Sequence, residues 1–220
     1  QQKRKSELKA LQSQINPHFL YNTLDSIIWM AEGKKNEEVV VMTASLARLL
    51  RQSISNEEEQ VPIGQEVEYA RSYLTIQKMR YKDKLEFQIQ VDAQIMRVPI
   101  IKLVLQPLIE NAIYHGLKYK EGKGLLIVRG YREGENAVLQ IKDNGAGMDE
   151  QTLSHIFEKH KVNYRSNGVG VYNVQKRLQL YYGMDYGITY SSKQGEGTSA
   201  SIVIPMNVIP MKQEADHEKI

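Results

Sequence analysis

The chain alternates apolar and polar residues without interruption over Leu85-Glu86-Phe87-Gln88-Ile89-Gln90-Val91, which is typical of a half-buried β-strand. Before this stretch, apolar residues recur at steps of three and four, as they do along helices. After it, strand-like and helix-like segments follow each other without βαβ regularity, which favours helices on one face of a largely antiparallel sheet. The sequence therefore predicts an α+β protein, with a helical N-terminal part followed by an α/β sandwich whose sheet is mixed and largely antiparallel.

Two apolar stripes before Leu85 predict a helical hairpin. The first carries Leu8, Leu11, Ile15, Leu20, Leu24 and Ile27, the second carries Val39, Met42, Leu46 and Leu49, and Glu32–Asn36 separates them. Such narrow seams cannot bury themselves alone, so pairing with a second copy into a dimeric four-helix bundle is expected. Packing of the hairpin on its own chain is the alternative. We predict a dimerisation region over residues 1–64 and a connecting helix over 65–83.

The rest of the chain is predicted to form a sheet domain over residues 84–205, followed by a polar tail over 206–220. Within the domain, Pro99 is expected to begin an apolar helix that runs to about Gly116. A β-hairpin is expected to turn at Glu133–Asn136. Further expected elements are a short helix over 150–157, a helix over 168–182, and strands over 187–191 and 198–204.

Composition excludes several classes of protein. The 29 basic and 26 acidic residues leave a net charge of only +3, so neither nucleic acid nor an anionic membrane is expected as the main partner. There is no cysteine, which excludes disulfides and thiolate chemistry. The apolar runs are far shorter than the roughly 20 residues that span a bilayer, and the polar start is unlike a signal peptide. We expect a cytosolic piece, cut from a longer protein.

His18 is a candidate nucleophile in the first predicted helix. It follows Asn16 and Pro17, and the proline removes a backbone hydrogen bond, so the helix is expected to be irregular beside it. Helical periodicity places His18 away from the apolar stripe, on the same side as Asn22. An exposed imidazole that is mostly neutral at pH 7 can attack a phosphoryl group through a ring nitrogen. A surface histidine without a role is the alternative.

Glu110, Asn111, His115 and Asp143 are candidate site residues in the sheet domain. Asn111 and His115 are four residues apart and share a helix face, and an amide oxygen suits Mg²⁺. Glu110 and Asn111 could instead simply end a helix. Asp143 follows a strand, where its carboxylate can accept the amino hydrogen of adenine, although Asp-Asn-Gly also forms ordinary turns.

Glycine-rich segments suggest where phosphates bind. Gly168-Val169-Gly170 opens a predicted helix, whose free N–H groups favour an anion. The preceding polar stretch, 159–167, could close over a triphosphate as a lid. Its cations Lys159, Lys161 and Arg165 could bind phosphate or could be ordinary solvated charges. A late hairpin is expected at Gly195-Glu196-Gly197-Thr198.

Together these segments resemble the sensor histidine kinases of two-component systems, specifically the LytS/YesM-like subfamily. Residues 11–24 resemble its phosphoacceptor box and 106–116 its N box. Residues 143–147 and 168–170 are similar to the two glycine boxes of the GHKL (Bergerat) ATP-binding fold. The resemblance covers about residues 8–205.

The resemblance implies ATP and Mg²⁺ as cofactors. It implies that His18 accepts the γ-phosphoryl group, that Asn111 holds Mg²⁺ and that Asp143 binds adenine. It assigns to the nucleotide site Asn111, His115, Asp143, Gly145, Gly147, Lys161, Gly168, Gly170, Val171 and Thr198. The implied partners are a second copy of the chain and the receiver domain of a response regulator, whose aspartate takes the phosphoryl group. The resemblance also implies that the chain is the cytoplasmic portion of a membrane-anchored sensor, attached to the membrane only through segments absent from this chain.

Two departures from the wider family bear on mechanism. Phe19 stands where most histidine kinases carry an acidic residue after the phosphoacceptor, so Asp25, Glu110 and solvent stay open as the base. Tyr114 replaces a lysine of many N boxes, which shifts the expected phosphate contact to His115 or the lid lysines. Two other functions are considered: an ATPase in which Glu110 activates water, and a catalytically degenerate dimeric ATP-binding module.

Overall fold

The computed structural model describes residues 17–54, 59–118, 120–157 and 168–207. Helix α1 (Pro17–Glu32) and helix α2 (Asn36–Ile54) form the predicted hairpin, and Lys34 turns the chain between them with a φ of 56°. The predicted helical pattern before residue 17, the candidate lid and nearly all of the polar tail lie outside the described residues. In the part of the chain that is described, no helix combines the length and apolar character needed to cross a membrane.

The hairpin packs on helix α3 (Ile63–Tyr81) of its own chain. The α2 stripe is buried as predicted, with Met42, Leu46 and Leu49 in the core. The predicted face of α1 is wrong in part, because Leu24 is 42% exposed whereas Phe19 is buried. The cause is a long-range contact: the Phe19 ring stacks on Tyr73 of α3, which turns that side of α1 inward.

The main sheet has five strands in the order β2-β4-β5-β7-β6, with β2 parallel to β4 and the other pairs antiparallel. Their bounds are β2 Leu85–Val91, β4 Gly124–Glu133, β5 Asn136–Asp143, β6 Gly187–Lys193 and β7 Gly197–Pro205. The predicted mixed, largely antiparallel sheet is thus confirmed, as is the β4–β5 hairpin.

Helices cover one face of this sheet. The bounds are α4 Leu105–Asn111, a π-helical turn over Ala112–Leu117, α5 Glu150–Ser154 and α6 Gly168–Tyr182, and a 3₁₀ turn over Lys82–Lys84 leads from α3 into β2. The π-helical turn lies against β4, β5 and β7, and α6 lies against β6 and β7. Between the layers lie the inward residues of the central strands, among them Leu139, Ile141 and Ile202.

The predicted helix beginning at Pro99 is wrong in its first third. Residues Pro99–Ile101 form strand β3, which pairs antiparallel with β1 (Gln60–Pro62). Leu103 then adopts the left-handed region at a φ of 59°, and α4 begins only at Leu105. Proline is common in the first turn of a helix but is also tolerated at the start of a short edge strand. Here the pairing with β1 makes Pro99 part of a strand.

A buried carboxylate from α3 caps the late start of α4. Oxygens of Glu66 accept the backbone N–H groups of Leu103 at 2.7 Å, Val104 at 3.0 Å and Leu105 at 3.3 Å. Leu105 is the first residue of α4 and Val104 directly precedes it, so their N–H groups are among those that a helix start leaves without a helical partner. Buried Arg177 of α6 donates to the backbone carbonyl of Lys102 and attracts the Glu66 charge. The turn is therefore held by α3 and α6 together.

Replacing Glu66 with alanine is expected to destabilise the protein markedly. The change leaves three buried N–H groups without their acceptor, and each such group costs about 1–3 kcal/mol. We expect the free energy of unfolding to fall by about 3 kcal/mol or more, measured by urea denaturation. Glu66→Gln keeps one acceptor oxygen and should lose roughly half as much; equal losses for the two variants would contradict the capping role.

Candidate functional site

Asp143 ends strand β5 on its buried face. Alternation along β5 puts Leu139, Ile141 and Asp143 on one side, so the carboxylate enters the space between sheet and helices, where Asp143 is only 3% exposed. Its Oδ1 accepts the N–H of Gly145 at 2.8 Å. Burial raises the pKa of Asp143, and backbone hydrogen bonds from Gly145 and Thr198 oppose this rise.

The loop after β5 is pressed against the end of the π-helical turn. A Cβ on Gly145 would lie 2.1 Å from the carbonyl oxygen of Gly116, so only glycine fits there. The N–H of Ala146 donates to that same carbonyl at 2.9 Å. A Cβ on Gly116 would in turn lie 2.7 Å from Oδ1 of Asp143. The two glycines therefore bring the helix end directly beside the carboxylate.

A cavity of about 410 Å³ opens beside Asp143, within the size range of small-molecule sites. It brings together five of the predicted residues, namely Asn111, His115, Asp143, Gly147 and Thr198. Thr198 is the neighbour of Asp143 on β7, and its hydroxyl lies 2.8 Å from that of Ser192. The other walls are mostly apolar, with Leu108, Ala112, Ile141, Met148, Ile156 and Ala200.

Asn111 presents an unsatisfied acceptor at this cavity. Its Oδ1 is buried and has no hydrogen-bond partner among the described residues. The side chain adjoins the Tyr190 hydroxyl, whose pKa is raised by burial and lowered in part by this amide. Buried polar atoms are nearly always paired in native proteins. The Tyr190 hydroxyl is likewise buried without a partner among the described residues, so it and Asn111 Oδ1 are two polar atoms that a bound ligand or cation could pair.

His115 lines the same cavity one turn further along the chain. Partial burial lowers its pKa below the usual 6.5, and nearby Lys118 lowers it further. The imidazole is therefore neutral at pH 7, with one nitrogen that donates and one that accepts.

Other predicted residues lie elsewhere. His18 is exposed on α1, where the Asn22 amide lies 3.0 Å from its Nδ1, and it is not among the residues that line the cavity. The Glu110 carboxylate accepts from the Gln106 amide of its own helix at 2.8 Å and lies near Tyr73 of α3. Gly168 begins α6, Gly170 packs near Pro107, Val171 is fully buried in the core, and Lys161 lies outside the described residues.

The sequence analysis did not predict a role for Tyr190 or Gly116, which line the cavity, or for Glu66, which holds the start of α4. Gly116 was taken only as a helix end, although its place in the N-box stretch was a usable signal. Tyr190 and Glu66 carry no local signal, because each is brought to its partner from a distant element: Tyr190 from β6 to Asn111, and Glu66 from α3 to residues 103–105.

Comparison with known proteins identifies the family. Residues 97–208 match the profile described as "Histidine kinase-, DNA gyrase B-, and HSP90-like ATPase", and residues 6–85 match the profile described as "Histidine kinase". The chain belongs to the histidine kinases. The second profile covers Asn111, Asp143 and Thr198, which line the cavity, and it implies that this domain binds ATP.

Relatives support the LytS/YesM-like subfamily. This histidine kinase is 37% identical over 202 residues to Sensor histidine kinase YesM of Bacillus subtilis and 30% identical over 206 residues to Sensor protein LytS of Oceanobacillus iheyensis. Each match covers 92% of this chain but only 34% and 35% of the relatives, so the chain spans about a third of their length.

The structure of Acinetobacter baumannii histidine kinase AdeS has the same fold. It aligns with a TM-score of 0.51 at 18% identity, and the match covers 92% of this histidine kinase and 96% of that chain.

Asp143→Asn is expected to weaken nucleotide binding to this histidine kinase about ten- to a hundredfold, because one charge-assisted hydrogen bond contributes about 1.5–3 kcal/mol. Since the pKa of Asp143 is raised above 3.8, wild-type affinity should also fall as the pH is lowered through that raised value. The variant should retain only the pH dependence of the nucleotide itself. Calorimetric titration with ADP from pH 8 downward, across the acidic range in which the protein stays folded, measures both, and parallel pH profiles would contradict the assignment.

The raised pKa has the opposite consequence for the nucleotide-free protein. The folded state favours the neutral acid, so the contribution of Asp143 to stability is present below pH 3.8 and is lost as the pH rises through the raised pKa. At pH 7, Asp143→Asn should therefore leave the melting temperature unchanged or higher while binding is lost. A lower melting temperature would indicate general structural damage instead.

Proposed function

We propose that this histidine kinase transfers the γ-phosphoryl group of ATP to His18 and that an aspartate of a response-regulator receiver domain then takes it. The observation that carries the proposal is the cavity in which the Asp143 carboxylate and the orphaned Asn111 Oδ1 lie together. The carboxylate can accept the amino hydrogen of adenine, and the apolar walls suit a planar base. In this proposal the amide oxygen would bind a cation that the phosphates of that nucleotide carry.

Mg²⁺ fits the donors present. Across residues 17–54, 59–118, 120–157 and 168–207, no group of three or more His, Asp or Glu side chains could hold a metal by itself. Mg²⁺ characteristically takes one or two protein oxygens and completes its shell with water and phosphates. Asn111 Oδ1 would supply the protein ligand, and the ion would neutralise charge on the transferring phosphoryl group.

In the proposed reaction, a ring nitrogen of His18 forms a bond to the γ-phosphorus while the bond to the β–γ bridging oxygen breaks, and ADP leaves. The proton on the other ring nitrogen becomes acidic as this bond forms and passes to Asp25, Glu110 or solvent. Because His18 lies outside the cavity lining, it must be brought to the γ-phosphate from its own chain or a second copy. Catalysis then depends on positioning and charge neutralisation.

The proposed assembly is a homodimer formed by the helical hairpin. Six large apolar side chains stay exposed on α1 and α2, namely Tyr21, Leu24, Ile28, Trp29, Val40 and Val41. A second hairpin would cover them in a four-helix bundle. We further propose a dimerisation region over 1–64, a connecting helix over 65–83 and an ATP-binding domain over 84–205. The chain would be the cytoplasmic portion of a membrane-anchored sensor.

The experiment is incubation with γ-labelled ATP and Mg²⁺, followed by chemical analysis of the labelled protein. A phosphohistidine is stable in alkali and is lost in acid, so a label with these properties supports the proposal. Release of inorganic phosphate without a labelled protein would instead indicate an ATPase. Binding of ATP without either product would indicate a catalytically degenerate module.

A further inference from the structure

The residue after the phosphoacceptor is joined to the connecting helix. Phe19 is 3% exposed, and its ring stacks on Tyr73 of α3 with 4.9 Å between ring centroids and 26° between ring planes. A stacked, buried pair of this kind contributes about 0.5–1.5 kcal/mol beyond its burial. His18 is thus exposed on α1, while Phe19, the next residue, packs α1 against α3.

Tyr73 is also part of a buried polar cluster between α3 and α4. The Gln77 amide donates to its hydroxyl at 2.7 Å. The hydroxyl also lies near the Glu110 carboxylate, and the two groups influence each other's pKa. Glu110 Oε1 accepts from the Gln106 amide at 2.8 Å, and Gln106 Oε1 accepts from the Tyr69 hydroxyl at 2.7 Å. The cluster, defined as Tyr69, Tyr73, Gln77, Gln106 and Glu110, therefore ties two turns of α3 to one face of α4.

The far end of this cluster borders the ATP site. Glu110 directly precedes Asn111, whose orphaned Oδ1 lies at the cavity. A shift of α4 that keeps the Glu110 bonds must therefore move the Asn111 amide with it. Polar networks in a low-dielectric interior are strong when satisfied and costly when broken, so such helices tend to move together.

Packing alone does not explain why residue 73 is a tyrosine and residue 110 a glutamate. Phenylalanine at 73 would stack on Phe19 equally well, and leucine at 110 would fill the same space without a buried acid. Burial raises the pKa of Glu110, which shows what the acid costs at this position. Its carboxylate points to α3, so in this conformation it is placed to hold α4 and not to touch a nucleotide.

We propose that Phe19, Tyr73 and Glu110 form a positioning link. Through this link, the position of helix α1, which carries His18, determines the position of the Asn111 amide. The inference rests on the proposed function, because it couples the proposed phosphoacceptor helix to the proposed nucleotide site. By thermodynamic reciprocity, a change at Phe19 must alter nucleotide affinity if nucleotide binding alters α1. Tyr73 and Glu110 act through Asn111 and are positioning residues in this scheme.

The test is a double-mutant cycle read out by the dissociation constant of Mg·ADP, which needs no phosphoryl transfer. Phe19→Leu removes the stack, and Tyr73→Phe keeps the ring but removes the hydroxyl bonds. We expect Phe19→Leu to weaken Mg·ADP binding about three- to tenfold in the wild-type background. In the Tyr73→Phe background, the same change should alter the affinity by less than about twofold, because the link is already broken.

Controls separate this coupling from general damage. Tyr131→Phe makes the same chemical change near the β4–β5 turn, at the opposite end of that hairpin from Asp143, and should leave the effect of Phe19→Leu intact. Phe19→Met is a second, volume-conserving substitution in case Phe19→Leu does not fold, which circular dichroism reports. Equal effects of the Phe19 changes in both backgrounds would overturn the link and leave the proposed function standing. A wild-type protein that fails to bind Mg·ADP would overturn both.

Discussion

His18→Gln is expected to abolish the acid-labile label completely, while Mg·ADP binding and thermal stability stay at wild-type values. Glutamine offers an amide of similar length but no ring nitrogen that can hold a phosphoryl group. His18 is exposed on α1, so its replacement should change the free energy of unfolding by no more than about 0.5 kcal/mol. It also lies outside the cavity lining, so the nucleotide should bind as before. Loss of label with retained affinity is therefore the signature of a phosphoacceptor.

The control for this prediction is His155→Gln, which makes the same change at another exposed histidine. His155 follows α5, and its Nδ1 lies 2.7 Å from the Gln151 carbonyl oxygen, so the variant tests whether loss of an exposed imidazole affects labelling in general. The label should survive at the wild-type rate. A label that persists in His18→Gln, or that disappears in both variants, would remove His18 from the mechanism.

Local sequence patterns were sufficient to predict the helices and strands whose buried residues follow a single regular repeat. The alternation in β2 and the α2 stripe with Met42 and Leu49 placed these elements correctly, because their inward residues are neighbours within a single helix or strand. The same logic explains Asp143, which continues the inward series of β5 and so turns its carboxylate toward the helix layer. Sequence alone could place that acid at the cavity.

Local sequence patterns gave wrong predictions where a contact with a distant side chain determines the structure. The start of α4 is set by Glu66, about forty residues earlier, so proline at position 99 was misread as a helix start. The inward face of α1 is set by the Phe19 stack on Tyr73, so Leu24 was expected inside but is exposed. Residue type, not periodicity, identified Asn111, and the structure adds that its oxygen is buried and unpaired.

Gly197→Ala is expected to lose both stability and nucleotide binding, whereas Gly195→Ala in the same β6–β7 turn should lose only a little stability. Both glycines have positive φ, 112° and 82°. A Cβ on Gly197 would lie 2.1 Å from the backbone oxygen of Asp143, whereas no atom of the described residues lies within 4 Å of one on Gly195. Left-handed strain alone costs about 1–2 kcal/mol for a residue with a Cβ. Overpacking against backbone adds about 1–3 kcal/mol more.

We therefore expect the free energy of unfolding to fall by about 1–2 kcal/mol in Gly195→Ala and by about 3 kcal/mol or more in Gly197→Ala. Relief of the clash requires β7 to move away from the end of β5, and this movement would displace the Asp143 carboxylate that is proposed to bind adenine. The affinity of Gly197→Ala for Mg·ADP should fall at least about tenfold, as expected for loss of one charge-assisted hydrogen bond, while that of Gly195→Ala stays within about twofold, as for a site that is left intact. Urea denaturation and calorimetric titration measure the two effects separately. If both variants bound Mg·ADP equally well, the close approach of β7 to Asp143 would not be what shapes the ATP site.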